Sequence, residues 1–124
     1  MFRRITFWRS CYYPERMPIR ARIMYIESKA SGLQGHARIG RVTFTKSGKG
    51  IYYNGREFFR ISGFKANYAE AATQDEYWIS GPRQDGQDRL YSPSGLPVEI
   101  DDDVREEYWR DIRKKPELAS RMTT

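Results

Sequence analysis

Asn54-Gly55 constrains this chain more than any other dipeptide. It lies between Ile51-Tyr52-Tyr53 and Arg56-Glu57-Phe58-Phe59-Arg60-Ile61, and both of its residues tolerate the positive φ that a type I′ turn demands. A strand entering and a strand leaving antiparallel are therefore expected around it. Upstream, Arg38 to Thr45 alternates, with Val42 and Phe44 on one face and Arg41, Thr43 and Thr45 on the other. Lys46-Ser47-Gly48-Lys49-Gly50 supplies turn chemistry between the two segments. Residues 38–61 are predicted to form a three-stranded meander.

The same reading extends along the chain. Tyr25 to Lys29 alternates weakly and is expected as a first strand, followed by a loop over Ser31–His36. After the Ser62-Gly63 break, Ala66–Ala71 and Glu76–Ser80 make a second hairpin around Thr73-Gln74-Asp75. Tyr77 and Ile79 face one side of it and Trp78 the other. Gly81-Pro82 stops this hairpin. A polar loop, Arg83 to Asp88, leads to Arg89-Leu90-Tyr91, a turn at Ser92-Pro93-Ser94-Gly95 and a short strand at Val98-Glu99-Ile100. Asp101-Asp102-Asp103 opens a helix, with Asp103 and Glu106 spaced as a capping box. Val104, Tyr108 and Ile112 form its apolar stripe, Trp109 lies beside them, and Arg113, Lys114 and Lys115 occupy the last turn before Pro116. Nine Tyr, six Phe, three Trp and ten Gly suit a pleated face better than a helix bundle. The expected fold is mainly β: a small bent antiparallel sheet or partly open SH3-like barrel, with one C-terminal α-helix over an end or a face.

At 124 residues one domain is expected, burying roughly two-thirds of its unfolded surface. The division is a basic leader at 1–22, a β-rich domain at 23–115 and a frayed tail at 116–124. Charge supports that division. The chain carries 22 Lys plus Arg against 16 Asp plus Glu, a net of +6. Six arginines (Arg3, Arg4, Arg9, Arg16, Arg20, Arg22) face one acid, Glu15, in the first 22 residues, which leaves 16 cations and 15 acids beyond them. Three readings of residues 1–22 stay open: an upstream leader with Met24 as the natural start, a flexible basic arm, or an extra strand over Arg4–Trp8. Cys11, the single cysteine, has an electropositive setting but no adjacent acid or His, and is taken as incidental. One cysteine permits no disulfide framework, so a reducing cytoplasm is expected. No run approaches the roughly 20 apolar residues that cross a bilayer.

Residues 24–115 resemble a family of short, uncharacterised bacterial proteins. The carrying segments are Met24-Tyr25-Ile26-Glu27, Ala37 to Gly48, Ile51-Tyr52-Tyr53 and Gly63 to Tyr68, then the distinctive Glu76-Tyr77-Trp78-Ile79-Ser80-Gly81-Pro82. Asp85-Gly86, Asp88 to Tyr91, Val98 to Asp101 and Val104 to Trp109 complete it. Such proteins tend to begin where Met24 stands here. Some carry a deoxyxylulose-phosphate synthase label, which does not suit a chain this short without a diphosphate- or metal-binding motif. The resemblance implies no catalytic or binding residue.

The chemistry-bearing residues read blandly. His36 is the only histidine, which excludes Ser-His-Asp triads and His-based metal clusters, and it reads as a solvated loop residue. The glycines between Gly32 and Gly40 lack the strand-to-helix context of a phosphate cradle. Asp101-Asp102-Asp103 is explained by helix capping without a metal. Asp85-Gly86-Gln87-Asp88 reads as a turn, with Asp88 pairing to Arg83 or Arg89, rather than a calcium loop. Nothing sets Glu76 at a defined separation from Asp75 or Asp88, so no catalytic residue, cofactor or metal ligand is assigned. The stronger candidate is a surface: Trp78 pointing outward near Lys65, Asn67, Arg83, Arg89 and Tyr91, an aromatic–basic patch able to hold a peptide or stack a base. The competing reading packs Trp78 under the helix against Tyr108 and Trp109. The outer face of the meander (Arg41, Thr43, Thr45, Tyr52, Arg56) is a second possible platform. The expected function is a non-enzymatic module binding a protein or peptide, by an exposed sheet edge if one is free. The alternative is a nucleic-acid binder gripping phosphates through Arg3, Arg4 and Arg9.

Overall fold

A computed structural model describes residues 20–91 and 96–124. Seven strands follow one another: β1 (Ala21–Ser28), β2 (Ala37–Phe44), β3 (Gly50–Tyr53), β4 (Arg56–Arg60), β5 (Tyr68–Glu70), β6 (Glu76–Ser80) and β7 (Val98–Ile100). The first six pair in the order β1-β6-β5-β4-β3-β2, and β1 pairs with β2 as well, so the sheet closes into a barrel. β7 lies outside the ring, parallel to β2 at Ala37–Ile39. Of the two expected forms, the chain takes the barrel, with its ring complete.

The meander forms where the Asn-Gly turn places it. Tyr53 pairs with Arg56 and Ile51 with Phe58, and Asn54 and Gly55 take φ of 53° and 76°. The second hairpin pairs Tyr68 with Tyr77, turning through Gln74 at φ 66°. β1 begins earlier than expected: Ala21 pairs with Thr43, and the Arg20 carbonyl accepts from the Phe44 amide. Residues 20–22 thus belong to the barrel rather than to the leader. The remaining leader residues, with Arg3, Arg4, Arg9 and Cys11, lie outside the described residues, as does the turn at 92–95.

The weak alternation of β1 has a physical cause, since both of its faces are buried. Met24 and Ile26 point into the barrel with Val42, Ile51, Phe58, Tyr68 and Ile79. Ile23 and Tyr25 point the other way and join Ile39, Val98, Ile100, Val104, Tyr108 and Trp109 in a second apolar layer beneath the C-terminal helix. A strand buried on both sides loses the polar half of its period.

The helix is short and irregular. A 3-10 turn, Asp102–Val104, runs into an α turn, Arg105–Glu107, and then a π turn, Tyr108–Ile112. The widened last turn carries two adjacent rings, Tyr108 and Trp109, both fully buried. This helix ends at Ile112, three residues short of the expectation, and a separate 3-10 turn follows at Pro116–Leu118. The predicted capping box does not form, because no side chain caps the first turn. Asp101 is engaged instead by Arg38 Nε at 2.6 Å and by the Tyr53 hydroxyl at 2.5 Å.

The tail is not frayed. The Ile100 amide donates to the Met122 carbonyl, the Thr124 amide to the Val98 carbonyl, and Trp109 Nε1 to the Arg121 carbonyl at 3.0 Å. The last residues therefore bind along the outer side of β7. Among the described residues, ring closure and this tail leave no long free edge of the kind expected for partner pairing. No helix among them is long and apolar enough to cross a membrane.

Candidate functional site

The second layer changes character at the far end of β1. Continuing the period of Ile23 and Tyr25, Glu27 and Lys29 occupy the same face, and their side chains are fully buried. Glu27 collects four donors. The Tyr25 hydroxyl reaches Oε1 at 2.6 Å, while Lys29 Nζ (3.0 Å), the Gly35 amide (3.1 Å) and an Arg89 terminal nitrogen (3.1 Å) reach Oε2. Burial, followed by the bond to Glu27, pushes the Tyr25 hydroxyl pKa far above its ordinary value, so it stays a donor. Two cations and one carboxylate so enclosed are tolerated only because each charge is paired and hydrogen-bonded.

This hub fastens three loops. Lys29 Nζ also donates to the Leu33 carbonyl. Arg89 donates to the Gly35 carbonyl at 2.9 Å and to the Leu96 carbonyl at 3.1 Å. Lys29 Nζ lies 5.3 Å from the centre of the Tyr91 ring, and the Tyr91 hydroxyl donates to the Phe64 carbonyl. The segments drawn together at this end of the barrel carry Phe64, Leu33, Leu96 and Leu90, exposed by 79%, 48%, 43% and 39%. Four large apolar side chains are thus exposed on loops that one polar hub ties together.

The residues expected to form one patch are distributed over four places. Lys65, Arg89 and Tyr91 converge on this loop end, where Lys65 Nζ lies 3.5 Å from the Lys29 carbonyl and 3.8 Å from Glu76. Trp78 is half-buried rather than fully exposed. It pairs across from Glu27 and packs on the layer containing Tyr108 and Trp109, as the competing reading held. Asn67 is a strand clamp: its side chain accepts from the Ile79 amide and donates to the Ile79 carbonyl, both at 2.8 Å. Arg83 sits elsewhere, doubly bonded to Asp85. Asp88 takes the Arg83 backbone amide at 2.6 Å, rather than an arginine side chain. On the meander's outer face, Arg41 is paired with Glu107 and Arg56 with Glu70. The platform expected there has its two guanidinium groups already neutralised.

Sequence reasoning missed Glu27, Lys29, Leu33 and Phe64. The parity of β1 contained the first two, because charges that continue an inward-facing row must meet a partner. Phe64, an aromatic in a glycine-marked break, was a signal of the same kind. Among the described residues, no three His, Cys, Asp or Glu side chains converge as a metal-binding set. No family model, no curated protein and no solved structure matches the chain.

Proposed function

We propose that the chain is a non-enzymatic cytoplasmic binding module whose loop end receives an apolar segment of a protein partner. The observation that carries this reading is the exposure of Leu33, Phe64, Leu90 and Leu96 on loops tied together by a buried charge hub. A preformed, rigid apolar surface binds without the ordering cost that a flexible one incurs. Lys65 at its border, with Glu76 3.8 Å away and partly exposed, favours a segment that brings its own carboxylate beside an apolar anchor. The engagement of Glu27 by four donors supports a structural role for this carboxylate rather than proton transfer. Small-barrel architecture of the SH3-like kind, and kinship with the short bacterial family described above, are compatible with this reading and belong to the proposal.

Site-specific photo-crosslinking tests it. A photoreactive residue replacing Phe64 is expected to give one discrete protein adduct, mapping to a short apolar segment and weakened by Lys65→Glu. The same group at Tyr52 on the opposite hairpin should give none. Equal adducts at both positions, or adducts to nucleic acid, would contradict the proposal.

A further inference from the structure

Away from the loop end lies an open cleft of about 700 Å³ lined by Arg83, Gln84, Asp85, Arg113 and Lys115. Three cations there face one carboxylate, and Asp85 is already bound by Arg83 through two hydrogen bonds. A hydrogen bond from the Gln87 amide and then those from Arg83 hold the Asp85 carboxyl below its usual range, so it stays ionised and satisfied. Arg113 is held from several sides. Its Nε donates to the Gln84 carbonyl at 3.0 Å, a terminal nitrogen donates to the Tyr108 hydroxyl at 3.4 Å, and the guanidinium lies 4.8 Å from the ring centre of buried Trp109. It also rests on Gly86, where an added Cβ would stand 2.5–2.9 Å from the guanidinium atoms, and where φ is +77°. The group is thus positioned by a carbonyl, a hydroxyl, a ring and a glycine. No carboxylate lies within ion-pair distance of it among the described residues.

A guanidinium has five N–H donors, and these contacts use two. We infer that the Arg113 cleft is an anion site for a phosphate group, free or as a small phosphomonoester. The planar fork would take two oxygens, with Lys115 and Arg83 adding charge at the rim. Pre-positioning is the argument. An arginine that has already surrendered its rotamer freedom binds an oxyanion at less cost than a mobile surface arginine. This inference is independent of the loop-end reading, because the two surfaces share no residue.

The test is a titration of the ¹⁵N-labelled full chain at low ionic strength with inorganic phosphate, glycerol phosphate and acetate, read at the Arg113 Nε–H and the Gly86 amide. Saturable shifts with either phosphate and none with acetate are expected. The tighter of the two phosphates identifies the source. Arg113→Lys should weaken binding on the order of tenfold, because it keeps the charge and loses the fork. Lys115→Gln should weaken it by about threefold, through charge alone. Lys115 is exposed and makes no side-chain bond among the described residues, so that variant leaves the fold intact. Arg110→Gln, whose arginine pairs with Asp111, should change nothing. Unsaturable shifts, equal response to acetate, or undiminished affinity in a folded Arg113→Lys variant would overturn the inference.

Discussion

At the scale of single residues, buried charge decides the most. Glu27→Gln keeps the shape of the side chain and leaves the Lys29 and Arg89 cations enclosed without a counter-charge. It should cost about 3–5 kcal/mol of stability, read from urea unfolding. Lys29→Met leaves the Glu27–Arg89 pair balanced and should cost less; the reverse order would refute the hub. Asp88 behaves differently. It is buried, its Oδ2 has no hydrogen-bond partner, and burial pushes its pKa up despite the Arg83 amide. An acid whose folded pKa lies above its unfolded value contributes stability below the unfolded pKa and loses it as pH rises through the folded one. Asp88→Asn, which keeps an oxygen for the Arg83 amide, should therefore gain stability relative to the parent chain on going from acid to neutral pH. Parallel melting curves across that range check the sign.

Elements reveal what the sequence carried and what it did not. Local turn chemistry was sufficient for the meander, because Asn54 and Gly55 determine the register by themselves. It was also sufficient for the second hairpin and for the buried stripe of Val104 and Tyr108. The tail was illegible because its bonds run to β7 and to Trp109, partners remote in sequence with no local pattern. The capping box failed because Asp103 lies inside the opening 3-10 turn rather than before it, and Asp101, which does precede the turn, is occupied by Arg38 and Tyr53 from distant strands. Gly40 records that arrangement, since a Cβ there would stand 2.5 Å from both Asp101 Oδ2 and Tyr53 Cε1. Gly40→Ala should cost about 1–3 kcal/mol by overpacking. At Gly48 nothing lies within 4 Å, and only its φ of +75° opposes a side chain, so Gly48→Ala should cost about 1 kcal/mol. Deleting Met122–Thr124 should bare the outer side of β7 and promote self-association, measurable by sedimentation velocity.

At the scale of the whole molecule, a closed ring with two apolar layers carries a polar support at one end of the second layer and a cationic cleft beside the helix that covers that layer. Inward parity was legible where the alternation was clean, for Val42 and Phe44 and for Tyr77 and Ile79 against Trp78. Whether an outward residue meets water or a second layer was not legible, because that depends on where the helix returns. The account rests on the hub holding the loop end rigid, and the Gly35 amide reports this directly. It belongs to a loop, yet it donates to buried Glu27 Oε2 at 3.1 Å. Native-state hydrogen exchange should show Gly35 protected to the same degree as the amides of β1, opening only with the barrel. Exchange at the rate of an unstructured glycine would mean that the loops are not fastened to the ring.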